Sequence, residues 1–554
     1  MLYFFNISVL KLALDDKNYD IFEYLLQLPG IELYEECMKY CIYLTKITIP
    51  PKIKYIGEKA FSWCYNLTTV VIPSSVIKIE NYLFYECHSL KEITLPPKIE
   101  SIGDHAFSFC KIEEMILPSS LKYLGESAFE ECTNLAKVVI PSSITSIYKK
   151  TFWGCIKLKD LSIPSSIVTI GDGAFGHCEK LEEIIFPSSV KYIGDNFACQ
   201  CSSLKKVIFP SSLKKMENIC FQGCSLLTEF IIPPIVKKLD TRAFDRCKLL
   251  TMIEIPSSVK RIEKYAFSNC TSLQKVTIPP SVTKIEDYTF CNCSSLVEVN
   301  IPPSVKSIGF DSFLECKSLV SITIPPTLNS IGFTAFRKCP FFEKIIIDKP
   351  ISQRQKISVK TYTPDSLLKV LVLGDACVGK TCILSSYISM TFQNDTNSTI
   401  FMVCHNKNID IDGETVKLQI WDSGGNENLR AINNVYYPGS QCCAVVFDLT
   451  APHSLKTAEE FLKEVDDLAH PYSTVLLGNK SDLDPCIDDY DIKEVETKYD
   501  TKVFKVSAKD NLNIEEAFEY LVKQAVTVIM NEKAKLEDLI NENYDSNTDE
   551  EQKK

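Results

Sequence analysis

Apolar residues recur in a fixed pattern along the first two thirds of the chain. From about residue 45 to 346, an apolar-x-Ile-Pro run, a Val/Ile-x-x-Ile step and an x-Phe-x-x-Cys-x-x-Leu segment return every 23 residues. The alternating run, as in Val299–Pro302, predicts a short strand that ends at proline, because proline has no N–H for a sheet. The Ala-Phe-x-x-Cys-x-x-Leu segment spaces its apolar residues three apart and predicts a short helical turn over the core.

A unit of this size cannot bury its own apolar face, so the repeat predicts stacked units that share one continuous core. We therefore expect a solenoid of thirteen units over residues 45–350, mainly β-structure with short helical turns. One cysteine marks each unit, and all steps are 23 residues except one of 22. The cysteines are Cys64, Cys87, Cys110, Cys132, Cys155, Cys178, Cys201, Cys224, Cys247, Cys270, Cys293, Cys316 and Cys339.

These cysteines have two interpretations, a disulfide or metal ladder and a row of small buried thiols that stack on one another. Buried thiols are favoured, because an odd number cannot pair fully and the 6 histidines supply no metal-ligand cluster. The segment Ile163–Cys178 resembles the consensus of the BspA-like leucine-rich-repeat family. The resemblance implies an extended surface for a protein partner.

Residues 1–44 precede the repeats and contain two apolar stretches, Leu10–Leu14 and Ile21–Gly30, separated by polar residues. They resemble the helix pair of an ankyrin-type unit. A helical cap over the first repeat explains them equally well.

The 23-residue period ends near residue 350, and residues 351–365 are predicted to form a polar connector. The apolar run Leu367–Leu373 then predicts a strand, followed by Gly-Asp-Ala-Cys-Val-Gly-Lys-Thr at residues 374–381. This sequence fits the phosphate-binding pattern G-x-x-x-x-G-K-[ST] between a strand and a helix. Main-chain N–H groups would surround the phosphates, Lys380 would contact the outer ones and Thr381 would hold Mg²⁺.

Three further motifs follow in order. In Asp422-Ser-Gly-Gly425, the aspartate is expected near the metal, and the final glycine N–H is expected to face the γ-phosphate. In Asn479-Lys-Ser-Asp482, the last carboxylate can accept both N–H donors of guanine, a pair that adenine lacks. Ser507-Ala-Lys509 is expected to complete the base pocket.

Residues 366–530 resemble the Ras superfamily and, within it, the Rab proteins. The resemblance implies an α/β P-loop domain with a mostly parallel central sheet, GTP or GDP as ligand, and Mg²⁺. It also implies that Thr399 coordinates Mg²⁺ and that Phe392 packs on the base. The Rab-like segments are Trp421–Ser423, Val435–Gly439 and Val446–Thr450.

The candidate site residues follow from these motifs and this resemblance. The predicted nucleotide-binding residues are Gly374, Asp375, Ala376, Cys377, Val378, Gly379, Lys380, Thr381, Cys382, Phe392, Gly425, Asn479, Lys480, Asp482, Ser507, Ala508 and Lys509. The predicted metal ligands are Thr381, Thr399 and Asp422, and the predicted catalytic residues are Asn426, Thr399 and Lys380.

Several positions depart from the family pattern. Asn426 replaces the glutamine that orients the attacking water, so we expect slow hydrolysis. Phe401 and Cys404 replace the Gly and Phe of the Rab switch region, so familiar Rab effectors are not expected to bind. Residues 531–554 are predicted to be an acidic tail without prenylated cysteines, which predicts no direct lipid anchor.

Charge and composition limit the kinds of partner that the chain is expected to bind. The net charge of -11 weighs against nucleic acid and anionic membranes, because both favour a basic surface. No uncharged apolar run reaches about 18 residues, so no transmembrane helix is predicted. We expect a cytoplasmic protein that reaches a membrane, if at all, through a partner, with exchange factors, activating factors and effectors at the switch regions.

Three functions remain open from the sequence. The first is a GTPase switch tethered to a protein-binding scaffold. The second is a scaffold that stays bound to GTP because Asn426 removes most of the hydrolysis. The third is a surface adhesin with a vestigial GTPase domain, which the retained Lys380, Thr381, Asp422 and Asp482 disfavour.

Overall fold

In the computed structural model the chain divides into two compact units, the first comprising the residues up to Ser358 together with those from Leu539 onward, and the second covering Val359–Asp538. The N-terminal helical stretches, most of the connector and the end of the acidic tail lie outside the described residues. The structure describes residues 26, 33–216, 218–347, 357–360, 367–390, 399, 402–424, 437 and 439–545.

The first unit is built from short strands that recur with the 23-residue period. The strands are β1 (Lys46–Thr48), β2 (Thr69–Val71), β3 (Lys78–Ile79), β4 (Glu92–Thr94), β5 (Ser101–Ile102), β6 (Glu114–Ile116), β7 (Tyr123–Leu124), β8 (Lys137–Val139), β9 (Ser146–Ile147), β10 (Asp160–Ser162), β11 (Thr169–Ile170), β12 (Glu183–Ile185), β13 (Tyr192–Ile193), β14 (Lys206–Ile208), β15 (Lys215–Met216), β16 (Glu229–Ile231), β17 (Lys238–Leu239), β18 (Met252–Glu254), β19 (Arg261–Ile262), β20 (Lys275–Thr277), β21 (Lys284–Ile285), β22 (Glu298–Asn300), β23 (Ser307–Ile308), β24 (Ser321–Ile324), β25 (Ser330–Gly332), β26 (Lys344–Ile347) and β27 (Ser358–Lys360).

The predicted strands before each Ile-Pro pair are confirmed. They stack in parallel, so that Lys46 lies opposite Thr69 and Thr69 opposite Glu92. In most of the three-residue strands the middle residue is buried, as Ile47 and Val70 are, and its two neighbours are more exposed. A second series of two- or three-residue strands, not predicted from the sequence, runs through the Val/Ile-x-x-Ile step and also pairs in parallel.

The Ala-Phe-x-x-Cys segments form consecutive turns and not the helical turn that their spacing predicted. In the first unit the Ser62 N–H bonds the Lys59 carbonyl at 3.0 Å, whereas the Phe61 N–H bonds the Leu83 carbonyl of the next unit at 3.1 Å. Lys59 and Trp63 have left-handed φ angles of 56° and 60°, which a right-handed helix excludes. Alternate N–H groups therefore join neighbouring units.

Phenylalanine and cysteine fill the shared core. The rings of Phe244 and Phe267 lie 5.4 Å apart and nearly parallel, and most units continue this stack. The thirteen repeat cysteines are buried thiols, as predicted. Each thiol also donates to a backbone carbonyl of the preceding unit at 3.0 to 3.3 Å, for example Cys87 to Phe61, a role that the sequence did not predict. Burial raises the pKa of the Cys110 thiol well above its usual value.

The second unit is an α/β domain whose central sheet is mostly parallel, as the sequence predicted. Its strands are β28 (Leu367–Gly374), β29 (Val403–Ile411), β30 (Glu414–Asp422), β31 (Cys442–Asp448), β32 (Ser473–Asn479) and β33 (Lys502–Lys505). The order is β29-β30-β28-β31-β32-β33, and only the β29–β30 pair is antiparallel. All seven residues of β31 are buried, as expected for a central strand covered on both faces.

The described helices of this domain are α1 (Lys380–Ser389), α2 (Pro452–Leu468), α3 (Asp489–Tyr499) and α4 (Ile514–Asp545). Helix α4 begins in this domain and continues past residue 530 into the segment that the sequence analysis assigned to the tail. None of the described helices is long and apolar enough to cross a membrane. Because the parallel strands end at one edge, the loops after β28, β30 and β32 lie where α/β sheets usually bind ligands.

We expect the phenylalanine stack to carry much of the solenoid's stability. Phe267 is fully buried between Phe244 and Phe290. Replacing it with alanine should lower the free energy of unfolding by about 3–5 kcal/mol, because the ring leaves a cavity. Urea denaturation followed by far-UV circular dichroism would measure the loss. The matched control is Phe341→Ala, since Phe341 is 61% exposed; equal effects of the two substitutions would contradict this role of the stack.

Candidate functional site

The loop between β28 and α1 follows a path that only glycine permits at two points. Gly374 has φ +147°, and a β-carbon there would lie 2.3 Å from the Val446 carbonyl oxygen. Gly379 has φ +93°, and its β-carbon would lie 2.3 Å from the side-chain nitrogen of Asn479. The first residue of helix α1 is Lys380. The helix N-terminus therefore opens directly onto the loop, which places main-chain N–H groups there.

Lys380 closes this loop with its ammonium group. Its Nζ donates to the Gly374 carbonyl at 3.0 Å and to the Asp375 carbonyl at 2.7 Å. Burial lowers the pKa of Lys380, and the nearby Asp422 and Asp375 carboxylates partly oppose that shift. Two of the three ammonium hydrogens are used in these bonds. The third has no acceptor among the described residues and can therefore bind a ligand.

Three oxygen-bearing side chains from separate segments converge beside this lysine. The Thr381 hydroxyl donates to Oδ2 of Asp422 at 2.7 Å and lies 2.8 Å from the Thr399 hydroxyl. These are the three predicted metal ligands, and the fold brings them together. Oxygen donors of this kind suit a hard cation such as Mg²⁺.

The Asp422 carboxylate shows that this cluster is not satisfied by protein contacts alone. Its Oδ1 atom is buried and has no hydrogen-bond partner among the described residues. Burial raises the pKa of Asp422, while the Thr381 hydrogen bond and the Lys380 charge act in the opposite direction. A buried carboxylate oxygen without a partner is costly, and a bound cation would remove that cost. The residues present therefore fit a divalent metal ion.

Asn479 links the loop to the far side of the site. Its amide nitrogen donates to the Val378 carbonyl at 2.9 Å, and its amide oxygen accepts the Ala508 N–H at 3.1 Å. Helix α1 reaches the same segment, because the Ser386 hydroxyl donates to the Ala508 carbonyl at 2.6 Å. Asn479 thus braces two segments of the predicted site against each other.

The Asp482 carboxylate lies beside the segment that contains Ser507 and Lys509. The Ser507 hydroxyl donates to its Oδ1 atom at 2.8 Å, and the Lys509 ammonium lies 3.7 Å from its Oδ2 atom. Both contacts orient the carboxylate and leave it lone pairs for further N–H donors. The predicted base-recognition residues are therefore neighbours in the fold.

Lys480 adopts a left-handed φ of 64°, and its ammonium pairs with Oδ2 of Asp448 at 2.6 Å. Burial alone would raise the pKa of Asp448, but the Lys480 charge and the Thr450 hydrogen bonds hold it below its usual value. Sequence reasoning omitted Asp448 and Ser386 from the site. The aspartate stands in the Rab-like segment Val446–Thr450, which was the available signal.

The remaining predicted residues divide into two groups. Cys377 is exposed with φ 62°, and Cys382 lies in the first turn of α1, partly buried. The Asp375 carboxylate accepts the N–H of Ala376 at 2.6 Å. Phe392, Gly425 and Asn426 lie outside the described residues, so their predicted roles stay predictions.

Both parts of the chain match known protein families. Residues 369–527 match the Ras family. Residues 27–136, 125–251 and 237–362 match the BspA type leucine rich repeat region.

Among curated proteins, the chain is 34% identical over 175 residues to the Ras-related protein Rab7 of Drosophila melanogaster, covering 29% of this chain and 81% of that protein. It is 39% identical over 165 residues to the GTP-binding protein YPT1 of Saccharomyces cerevisiae, covering 29% and 79%. Among solved structures, it is similar to a leucine-rich repeat protein from Bacteroides ovatus, with 28% identity, a TM-score of 0.47, and coverage of 58% of this chain and 88% of that one.

Because Asn479 lies so close to Gly379, we expect replacement of this glycine to destabilise the protein more than replacement of a glycine with open space around it. Gly379→Ala should cost about 1–2 kcal/mol for the left-handed φ. A further 1–3 kcal/mol, roughly, should follow because the methyl group would displace Asn479 from its hydrogen bonds. Urea denaturation measures the total, and hydrogen exchange of residues 374–382 locates the change.

Gly413→Ala is the matched control for this prediction. Gly413 has φ +89°, but its β-carbon would meet nothing within 4 Å. It should therefore show the backbone cost alone. Equal destabilisation by the two substitutions would show that the contact with Asn479 does not matter.

Proposed function

This chain belongs to the Ras family through residues 369–527 and carries BspA-type leucine-rich repeats over residues 27–362, and from this premise we propose that its second unit is a slow GTPase switch. In this proposal the second unit binds GTP or GDP with Mg²⁺, and the repeats bind a protein partner. The observation that carries the proposal is the convergence of Thr381, Thr399 and Asp422 beside Lys380.

Phosphate binding rests on the loop around Lys380. The remaining ammonium hydrogen and the N–H groups at the start of α1 offer positive charge and hydrogen-bond donors. Thr381, Thr399 and Asp422 would hold Mg²⁺, which when bound neutralises charge on the phosphates. The Thr381–Asp422 hydrogen bond keeps two of these oxygens together.

Guanine recognition rests on Asp482. A carboxylate can accept the ring N–H and the amino N–H of guanine, whereas adenine presents no such pair. Ser507 holds this carboxylate from one side, and Asn479 positions the neighbouring segment through the Ala508 N–H. The name of the yeast relative, a GTP-binding protein, agrees with this assignment.

Slow hydrolysis rests on Asn426, a substitution in the sequence. Its side chain is one methylene shorter than the glutamine that orients water in related GTPases. The same substitution supports the second function, a scaffold that remains bound to GTP. In either case Thr399 would respond to the γ-phosphate through the metal, which is how such switches change state.

The repeat unit is proposed to place the switch near its partner. A repeat array offers an extended surface and raises the effective concentration of whatever it holds. We propose a cytoplasmic location, recruitment to membranes only through a protein partner, and exchange and activating factors at the switch regions. The similarity to Rab7 and YPT1 supports this part of the proposal.

The hydrolysis proposal predicts that Asn426→Gln speeds single-turnover hydrolysis of GTP by the full chain. We expect an increase of about ten- to a hundredfold, because small errors in positioning a reacting group have large effects on rate. Lys380→Ala should abolish GTP hydrolysis. Asn428→Gln, the same substitution two residues away, is the control. No conversion in the parent chain or in Asn426→Gln would leave the GTP-bound scaffold as the function.

Base recognition predicts that Asp482→Asn weakens GTP binding by about a hundredfold or more, because two hydrogen bonds to a charged acceptor are lost. The same variant should gain affinity for xanthosine triphosphate, whose oxygen at position 2 can accept from the new amide. Fluorescent nucleotide titration measures both effects. Asp510→Asn is the control, since Asp510 is exposed and its side chain makes no hydrogen bond or ion pair with a predicted base-pocket residue that the structure describes. An unchanged preference for guanine would refute the role of Asp482.

A further inference from the structure

Four lysines occupy the same place in four consecutive repeat units. Each stands immediately before the second strand of its unit: Lys191 before β13, Lys214 before β15, Lys237 before β17 and Lys260 before β19. We call these four residues the lysine column. Lys191 is half-buried and the other three are exposed.

The column consists of two pairs of directly neighbouring units. The Lys214 N–H bonds the Lys191 carbonyl at 2.9 Å, and the Lys260 N–H bonds the Lys237 carbonyl at 2.8 Å. Between the pairs the register changes, since Leu239 bridges Ile219. Adjacent parallel strands lie about 4.8 Å apart, so each pair brings two ammonium-bearing side chains to neighbouring positions.

Nearby basic residues are neutralised, whereas the lysine column is not. Lys238 pairs with Asp240 at 2.7 Å and with Glu263 at 3.4 Å, and Arg261 lies 3.9 Å from Glu263. Within the part of the chain that the structure describes, no lysine of the column makes a salt bridge. Like charges at adjacent positions of a sheet destabilise it. The column therefore carries a free-energy cost from charge repulsion that no ion pair among the described residues offsets.

The fold does not require lysine at this place. Other units have Thr145, Val168 or Thr283 at the equivalent position, and their second strands form in the same way. A short polar side chain is therefore compatible with the turn and the strand. A feature that costs stability and is dispensable for folding points to a ligand of opposite charge.

We propose that the lysine column binds an acidic helical segment of a partner protein. This inference rests on the proposed role of the repeats as a protein-binding scaffold and names the surface and the chemistry of its partner. Residues three or four apart on a helix have β-carbons about 5–6 Å apart, close to the spacing between neighbouring units. A row of carboxylates along one helix face thus matches each pair of lysines.

The surroundings favour a narrow acidic stripe over a broad anionic surface. Asp240 and Glu263 stand in the same units as Lys237 and Lys260, each three residues further along the chain. A membrane or a nucleic acid would also face these carboxylates and the chain's net charge of -11. A single acidic helix is narrow enough to contact the lysines without contacting Asp240 and Glu263.

The test uses the full chain and a fluorescently labelled, alanine-based helical peptide with glutamate at every fourth position. The comparison peptide has glutamine at those positions. We expect the glutamate peptide to bind more tightly and Lys214→Thr/Lys237→Thr/Lys260→Thr to raise its Kd about tenfold. The control is Lys54→Thr/Lys306→Thr, which changes lysines at the same place in units with uncharged neighbours, Ile77 beside the first and Thr283 and Asn329 beside the second.

Thermal unfolding of the triple variant should show an unchanged or higher midpoint, since repulsion is removed. The proposal is overturned if the two peptides bind equally, or if the triple variant binds the glutamate peptide as the parent does. Lysine-dependent binding to phosphatidylserine vesicles without peptide binding would also overturn it, in favour of a membrane surface. Nucleotide binding measured on the same preparations separates failure of this surface from failure of the proposed GTPase function.

Discussion

The contact between Asn479 and the backbone of the loop between β28 and α1 holds the second unit's candidate site in shape. One amide group bonds Val378 on one side and Ala508 on the other, and it lies so close to Gly379 that no side chain fits between them. The loop, the start of helix α1 and the Ser507 segment therefore keep fixed positions relative to one another. Lys380 and Asp482 owe their placement to this arrangement.

The first unit depends on a different constraint, which repeats along the chain. Alternate backbone N–H groups, the short strands and the cysteine thiols all bond the neighbouring unit, so a unit cannot complete its hydrogen bonds alone. Such a structure tolerates variation on its outward-facing positions because the inward-facing residues carry the stacking. The lysine column is one such outward-facing feature.

Short contiguous motifs explain why much of the candidate site's arrangement could be predicted from the sequence. Gly374–Thr381 runs without interruption from the last residue of β28 into the first turn of α1, and Asp422, Asp482 and Ser507 each lie at or near the end of a strand. The fold therefore brings Asp422 to Thr381 and Ser507 to Asp482, as expected. Asp448 and Ser386 were missed because they act only through contacts between distant segments.

The repeat unit was predicted less completely. Spacing of three between apolar residues also suits consecutive turns, and only bonds to the next unit decide between these and a helical turn. Strands of two residues, such as Lys78–Ile79, leave too short a pattern to recognise. The thiol hydrogen bonds likewise depend on how units stack, which a single unit's sequence does not contain.

The nucleotide content of the freshly purified full chain would show most directly whether the second unit binds guanine nucleotide. The protein would be denatured after removal of unbound ligand, and the released nucleotide would be identified and quantified by chromatography together with its magnesium. A second unit that binds guanine nucleotide should release GTP or GDP at close to one per chain, together with magnesium. Adenine nucleotide, or no nucleotide even after incubation with GTP and Mg²⁺, would contradict guanine-nucleotide binding.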